Sequence, residues 1–255
     1  MLSAETADLL ALCVLAVLGL AAVGWIVAEL RRSPFTPAQS LLYALNYVVS
    51  RLLWRARIEG SLPVSPDRGA VIVCNHRCPL DPSFMALAVP RVVHWMVARE
   101  YCEHWLMGPL LRLCEVIPTS RGGSDTAATK AAIRLAAAGG LVAIFPEGRI
   151  NDRQELLLPG RPGAALIALK ARVPVVPCFV HGSPYDGTTL GCLLMPAKVR
   201  LTFGPAIDLS EYYDRPVDRR TLEELTRRFL GEIARLGGDP HFQPQLAGRF
   251  YKPAD

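Results

Sequence analysis

Lysine is nearly absent from this chain, at 4 of 255 residues against 24 arginines. A skew of that size follows the base composition of coding DNA as readily as function, so no single surface arginine is informative alone. Aromatic residues are sparse at 7%, and none is interleaved with a basic run. Together with the lack of any Cys/His finger spacing, this speaks against a nucleic-acid reader. There is no Gly-x-Ser-x-Gly elbow, the mark of a soluble α/β hydrolase. The seven cysteines, at 13, 74, 78, 102, 114, 178 and 192, are odd in number and scattered. Several lie in apolar runs such as Val71-Ile72-Val73-Cys74, which reads as buried free thiols in a reducing compartment. Cys74-Asn75-His76-Arg77-Cys78 has neither the spacing nor the second ligand pair of a zinc site, so no metal is expected.

Charge is missing altogether from Leu9 to Ala28, twenty residues in a chain that is 51% apolar with a mean hydropathy of +0.25. At about 1.5 Å of rise per residue such a helix spans about 30 Å, the thickness of a hydrocarbon core. A cleaved signal peptide would want a basic start and a shorter apolar run, whereas Glu5 and Asp8 precede this one. The expectation is a retained N-terminal transmembrane helix with Trp25 at its interface. Arg31, Arg32, Arg51, Arg55 and Arg57 follow it, which by the positive-inside rule puts the rest of the chain on the cytoplasmic side. Ser40 to Trp54 is too short and interrupted to span. It reads as an interfacial helix or as a helix packed on the domain. The net charge of +5 suits an anionic membrane surface or a phosphate-bearing substrate.

From about Gly60 onward, short apolar runs alternate with helical patterns. Strands are expected at Ala70 to Cys74, Val92 to Val97, Leu141 to Phe145, Val173 to Val180 and Val199 to Phe203. Helices are expected at Pro82 to Ala88, Trp105 to Leu113, Ser124 to Ala138, Gly163 to Ala171 and Asp218 to Leu236. In the last, Leu222, Leu225, Phe229, Ile233 and Leu236 share one face and read as core packing. Non-alternating strands between helices predict an α/β fold with a mostly parallel central sheet flanked by helices. The expected organisation is a membrane anchor over residues 1–32, an interfacial or packing helix over 33–60, and a single α/β domain over 61–255.

In such sheets the chemistry gathers in loops at the carboxyl ends of strands. Asn75-His76-Arg77-Cys78-Pro79-Leu80-Asp81 directly follows the strand AVIVC. A histidine with an aspartate five residues on can form a base and its orienting carboxylate. Asp81 also precedes Pro82 and an apolar run, which suits a helix N-cap. A second pair of the same spacing, His181 and Asp186, reads as a turn. Ile144-Phe145-Pro146-Glu147-Gly148-Arg149 closes another strand, and Pro118-Thr119-Ser120-Arg121-Gly122-Gly123 lies between the two loops. Arginines on strand-end loops can clamp a phosphate with paired hydrogen bonds.

Four blocks stand in a fixed order between Gly69 and Val180: His76 with Asp81, then Arg121, then Phe145-Pro146-Glu147-Gly148-Arg149, then Val173-Pro174-Val175-Val176-Pro177. This series resembles the glycerolipid acyltransferase family that includes 1-acylglycerol-3-phosphate acyltransferases. The resemblance makes residues 61–255 an acyltransferase domain that moves a fatty acyl group from a thioester to the free hydroxyl of a lysophospholipid, here 1-acylglycerol-3-phosphate giving phosphatidate. It implies His76 as general base and Asp81 as its partner. It implies Arg121, Glu147, Gly148 and Arg149 as binders of the acceptor's glycerol phosphate, and Val175 and Pro177 as residues that shape the site or its acyl-binding wall. No cofactor is implied, and acyl-CoA or acyl carrier protein is the co-substrate. Cys78 and Ser120 depart from the family, which often has serine and an acidic residue there. Both departures bear on the acceptor, so another lysolipid, whether a remodelling substrate or a lyso-ornithine lipid, is the alternative within this chemistry. A non-catalytic membrane lipid-binding protein is the alternative outside it.

Overall fold

The computed structural model describes residues 33–120, 125–185, 187–188 and 191–248, with two isolated positions at Val17 and Gly24. The expected transmembrane helix over Leu9 to Ala28 lies, but for those two positions, outside the described residues. Among those described, no helix is long and apolar enough to cross a membrane. The chain divides into two compact units, residues 1–42 and 43–255. The first helix, α1 (Pro37–Leu52), starts where Thr36 and Gln39 cap each other reciprocally: Thr36 N–H donates to Gln39 Oε1 at 2.9 Å and Gln39 N–H to Thr36 Oγ1 at 3.3 Å.

The second unit carries a seven-stranded sheet. Its strands are β1 (Arg57–Glu59), β2 (Ala70–Cys74), β3 (Val93–Ala98), β4 (Ile117–Thr119), β5 (Leu141–Ile144), β6 (Val175–His181) and β7 (Arg200–Phe203), in the order β1-β7-β6-β2-β5-β3-β4. Every neighbouring pair is parallel except β6 and β7, which are antiparallel. The mostly parallel sheet expected from the sequence is the one observed. Strand β2 matches the expected run residue for residue, whereas the three-residue strands β1 and β4 have no counterpart among the expected strands, and β1 draws Arg57–Glu59 into the sheet from outside the expected domain boundary.

Strand β2 lies at the centre, with all five residues buried. Alternation splits them between two apolar layers. Val71 and Val73 face a layer built with α5 (Thr126–Ala137), α6 (Gly163–Ala171) and α7 (Arg219–Leu236), which contributes Leu225, Phe229 and Ile233 from the expected stripe, with Leu222 and Leu236 partly buried against it. Ala70, Ile72 and Cys74 face the other layer, with Val49 of α1, Trp54, and Phe84 and Met85 of α2 (Asp81–Ala86). A strand covered on both faces has no polar side, which is why its sequence is uninterrupted hydrocarbon. Two short helices, α3 (Arg99–Glu103) and α4 (Met107–Leu113), continue from β3 towards β4. Asp125 and Asp218 cap α5 and α7, each accepting the N–H three residues on, from Ala128 and Thr221.

Candidate active site

The loop leaving β2 is fastened before it reaches its first ionisable side chain. Asn75, fully buried, exchanges two hydrogen bonds with Val180 on β6: its Nδ2 donates to the carbonyl at 2.9 Å, and its Oδ1 accepts the N–H at 2.7 Å. Next in sequence, His76 places Nδ1 3.0 Å from Oδ2 of Asp81. The Asp81 side chain is fully buried and that of His76 is 16% exposed. A nitrogen facing a buried carboxylate carries the proton, so Nδ1–H donates to Asp81 and Nε2 is left to accept one. The imidazole plane is fixed by Phe145, stacked on it at 3.7 Å between centroids and 2° between planes, and Phe145 is itself stacked on Trp95 at 4.5 Å.

Asp81 does not cap α2 as its sequence context suggested. Leu80 occupies the cap position without a side-chain bond, and Asp81 is the first helical residue. Its carboxylate turns back instead and accepts the N–H of Arg77 at 2.7 Å and of Cys78 at 2.8 Å, both on Oδ2. The local preference lost because these two N–H groups of the tight loop, that of Cys78 fully buried, have to be satisfied. Oδ1 accepts the hydroxyl of Ser183 at 2.6 Å. Of the second His/Asp pair, His181 is exposed at the end of β6, and Asp186 lies outside the described residues.

Glu147, which closes the loop after β5, is 4% exposed. Both of its oxygens are turned towards backbone: Oε1 accepts His76 N–H at 2.8 Å, and Oε2 accepts Leu158 N–H at 2.7 Å. Burial pushes its pKa from 4.5 up to about 7, outweighing the opposing pull of those two N–H groups and of the Arg77 charge. The folded state therefore holds the proton more tightly than the unfolded chain. Stability contributed by this group falls as pH rises from about 4.5 to about 7, by about 3 kcal/mol in order of magnitude. Unfolding free energies of wild type and Glu147→Gln should diverge across that window, wild type alone declining. A constant difference from pH 4.5 to 8 would count against the buried, proton-retaining carboxyl.

Gly148 follows with a φ of +70° in a turn closed by its own N–H on the Phe145 carbonyl at 3.0 Å. A side chain there would be strained, and its Cβ would come 3.2 Å from Nε of Arg161. Arg149 is half-buried, with a loose ion pair to Asp152 at 3.6 Å. Arg121 lies outside the described residues. Val175 and Pro177 are buried in β6, paired in register with Val71 and Val73 and so well below His76 on the sheet. The structure does not bring either beside the histidine.

Three residues that local patterns did not single out contribute to this loop cluster. Ser183 and Trp95 have just been placed. Arg77 is the third: its guanidinium donates to the carbonyls of Asn151 at 3.1 Å, Arg153 at 2.7 Å and Glu155 at 2.7 Å, strapping residues 151–155 to the end of β2. Asn151 N–H closes the strap on the His76 carbonyl at 2.7 Å. Cys78 is no rival nucleophile. Its Sγ accepts Leu80 N–H at 3.3 Å, and burial holds the thiol far above its ordinary range. Among the described residues, no group of three or more His, Cys, Asp or Glu is arranged to hold a metal ion.

What this arrangement can do is accept a proton at Nε2 of a histidine whose other face, edge and backbone are held by protein. Comparison with known proteins gives the chemistry a setting. A family model described as Acyltransferase matches residues 55–181. An uncharacterised protein of Mycobacterium tuberculosis is 27% identical over 206 residues, covering 65% of this chain and 55% of the relative. The chain thus spans about half the length of these mycobacterial relatives. Human 1-acyl-sn-glycerol-3-phosphate acyltransferase beta is 34% identical over 113 residues, 43% of this chain and 40% of that protein. The fold is shared with the crystal structure of the 1-acyl-sn-glycerophosphate (LPA) acyltransferase PlsC from Thermotoga maritima, with a TM-score of 0.59 at 19% identity, over 78% of this chain and 80% of the other.

Proposed function

We propose, from the premise that this chain belongs to the glycerolipid acyltransferase family, that it transfers a fatty acyl group from an acyl thioester to the free hydroxyl of 1-acylglycerol-3-phosphate, giving phosphatidate. The observation that carries the reading is the 3.0 Å contact between His76 Nδ1 and a buried carboxylate, which leaves Nε2 as the base. In the reaction Nε2 takes the proton of the acceptor hydroxyl as its oxygen attacks the thioester carbonyl. The new C–O bond forms, the C–S bond breaks, and the proton passes to the departing thiolate. No acyl-enzyme is required, because the acceptor is itself the nucleophile. General-base assistance supplies about 10²–10⁴-fold; the remainder comes from aligning two substrates and stabilising the oxyanion.

In this reading Glu147 organises rather than binds, since its oxygens hold the backbone of His76 and Leu158. The acceptor's phosphate falls to Arg149, whose ion pair with Asp152 is loose and leaves that aspartate 57% exposed, and to Arg121 and Gly148 by the family pattern. Arg149→Ala should raise the acceptor KM about tenfold or more with kcat little changed, the size of one charge-assisted hydrogen bond. An unaltered acceptor KM would remove Arg149 from the phosphate site.

Lipid substrates require the site to work at a bilayer. Leu9 to Ala28 is the proposed anchor, and α1 supplies an interfacial face, with Leu45, Val48 and Leu52 exposed along one side and Arg51 beside them. The test offers isolated membranes labelled acyl-CoA or acyl carrier protein donors with lysophosphatidate, then other lysolipids. Phosphatidate formation that stays in the pellet after alkaline extraction is the expected result. Product only from another lysolipid would replace the acceptor, and activity lost to the supernatant would remove the anchor.

A further inference from the structure

We propose that Ser183 is a positioning residue for the base, acting through Asp81. The inference rests on the acyl-transfer reading but draws on a part of the chain outside the four motif blocks. A carboxylate has about four lone-pair sites. Three donors converge on Oδ2 of Asp81, namely His76 Nδ1–H at 3.0 Å, Arg77 N–H at 2.7 Å and Cys78 N–H at 2.8 Å. Oδ1 receives the Ser183 hydroxyl at 2.6 Å, the shortest of the four. The Asp81 side chain is fully buried, so water does not stand in for that hydroxyl. With both oxygens engaged the carboxylate cannot rotate about its Cβ–Cγ bond, and Oδ2 stays in line with Nδ1–H. The result is a chain Ser183–Asp81–His76 whose members come from the turn after β6, the start of α2 and the loop after β2.

The Ser183 hydroxyl is not what holds its own turn. The end of β6 is fixed by the double Asn75–Val180 exchange and by pairing of His181 with Arg200 on β7. Gly182, at a φ of +74°, lies against the Lys198 carbonyl so closely that no side chain fits. The turn is therefore set by backbone, and removing one hydroxyl should be felt at Asp81 rather than in the fold. When Nε2 takes a proton, the imidazolium is stabilised by the charge on Oδ2, and misalignment of that oxygen raises the barrier without touching either substrate.

Ser183→Ala should accordingly lower kcat about tenfold while both KM values and the melting temperature stay near wild type. Ser183→Thr, which keeps the hydroxyl, should restore kcat. The second readout is the Nδ1–H proton resonance of His76, which should shift in Ser183→Ala and return in Ser183→Thr. An unchanged kcat in an active preparation, a loss that appears only in KM, or failure of threonine to rescue would overturn the assignment. Should wild type and His76→Ala prove equally inactive with every donor and acceptor, the acyl-transfer reading fails. The Nδ1–H resonance then decides on Ser183 alone, and its insensitivity to the substitution would overturn the positioning role.

Discussion

Replacing His76 by alanine is expected to bring acyl transfer below about 1% of wild type while leaving the fold and membrane binding intact. The size follows from the loss of general-base assistance, about 10²–10⁴-fold. The survival of the fold follows from what the ring leaves behind. Asp81 keeps three of its four donors, from Arg77, Cys78 and Ser183, so its buried charge stays solvated by protein. The His76 N–H and carbonyl, which hold Glu147 and Asn151, belong to the backbone and remain. What is lost is the Nδ1–H bond to Asp81 and the stack on Phe145, and Phe145 keeps its stack on Trp95. Transfer of labelled acyl groups, measured beside a thermal melt, checks both halves. More than about a tenth of wild-type activity in a folded variant would mean that His76 is not the base.

Asp81→Asn should cost about 10²-fold or more in kcat, and the geometry says why the loss is one of charge rather than of orientation. An amide has one acceptor oxygen and one donor nitrogen. Because Arg77 and Cys78 both present N–H groups to the Oδ2 position, the amide oxygen is driven there and still accepts Nδ1–H from His76. The amide nitrogen takes the Oδ1 position and donates to Ser183, whose hydroxyl turns to accept. The three donors at the Oδ2 position keep their acceptor, so the variant should fold, while the imidazolium formed in the reaction faces a neutral neighbour. Asp81→Ala, by contrast, orphans two buried N–H groups as well and should destabilise the loop itself. Near-wild-type kcat in Asp81→Asn would show that the carboxylate's charge plays no part.

The sequence displayed the frame of this site better than its supports. Strand β2 could be read to the residue because both of its faces are buried, which makes the run of hydrocarbon continuous and its end at Asn75 abrupt. The α7 stripe was equally plain, since one face of a helix packs into the core while the other meets water. Strands β1 and β4 span three residues each, too few for any period to declare itself. Ser183 escaped because its partner is 102 residues away, and its neighbours His181-Gly182-Ser183-Pro184 look like any turn. Arg77 reads as one more arginine in a chain full of them, and only the folded strap reveals the carbonyls it holds. Asp81 stands beside His76 as the spacing implies, but only the fold shows that it also gathers the N–H groups of its own loop in place of capping the helix, and that Glu147 holds the backbone of His76 and Leu158.

The clasp between Asn75 and Val180 joins residues 105 apart. Ribosomes make proteins from the amino end, so the histidine loop emerges long before the strand that fastens it. A growing polypeptide that ends before β6 has its base and carboxylate already translated, yet it lacks Val180, the partner of Asn75, and Ser183, the partner of Oδ1 of Asp81. The geometry of the base is therefore complete only once β6 and the turn after it, which overlap and follow the last of the motif blocks, have been made.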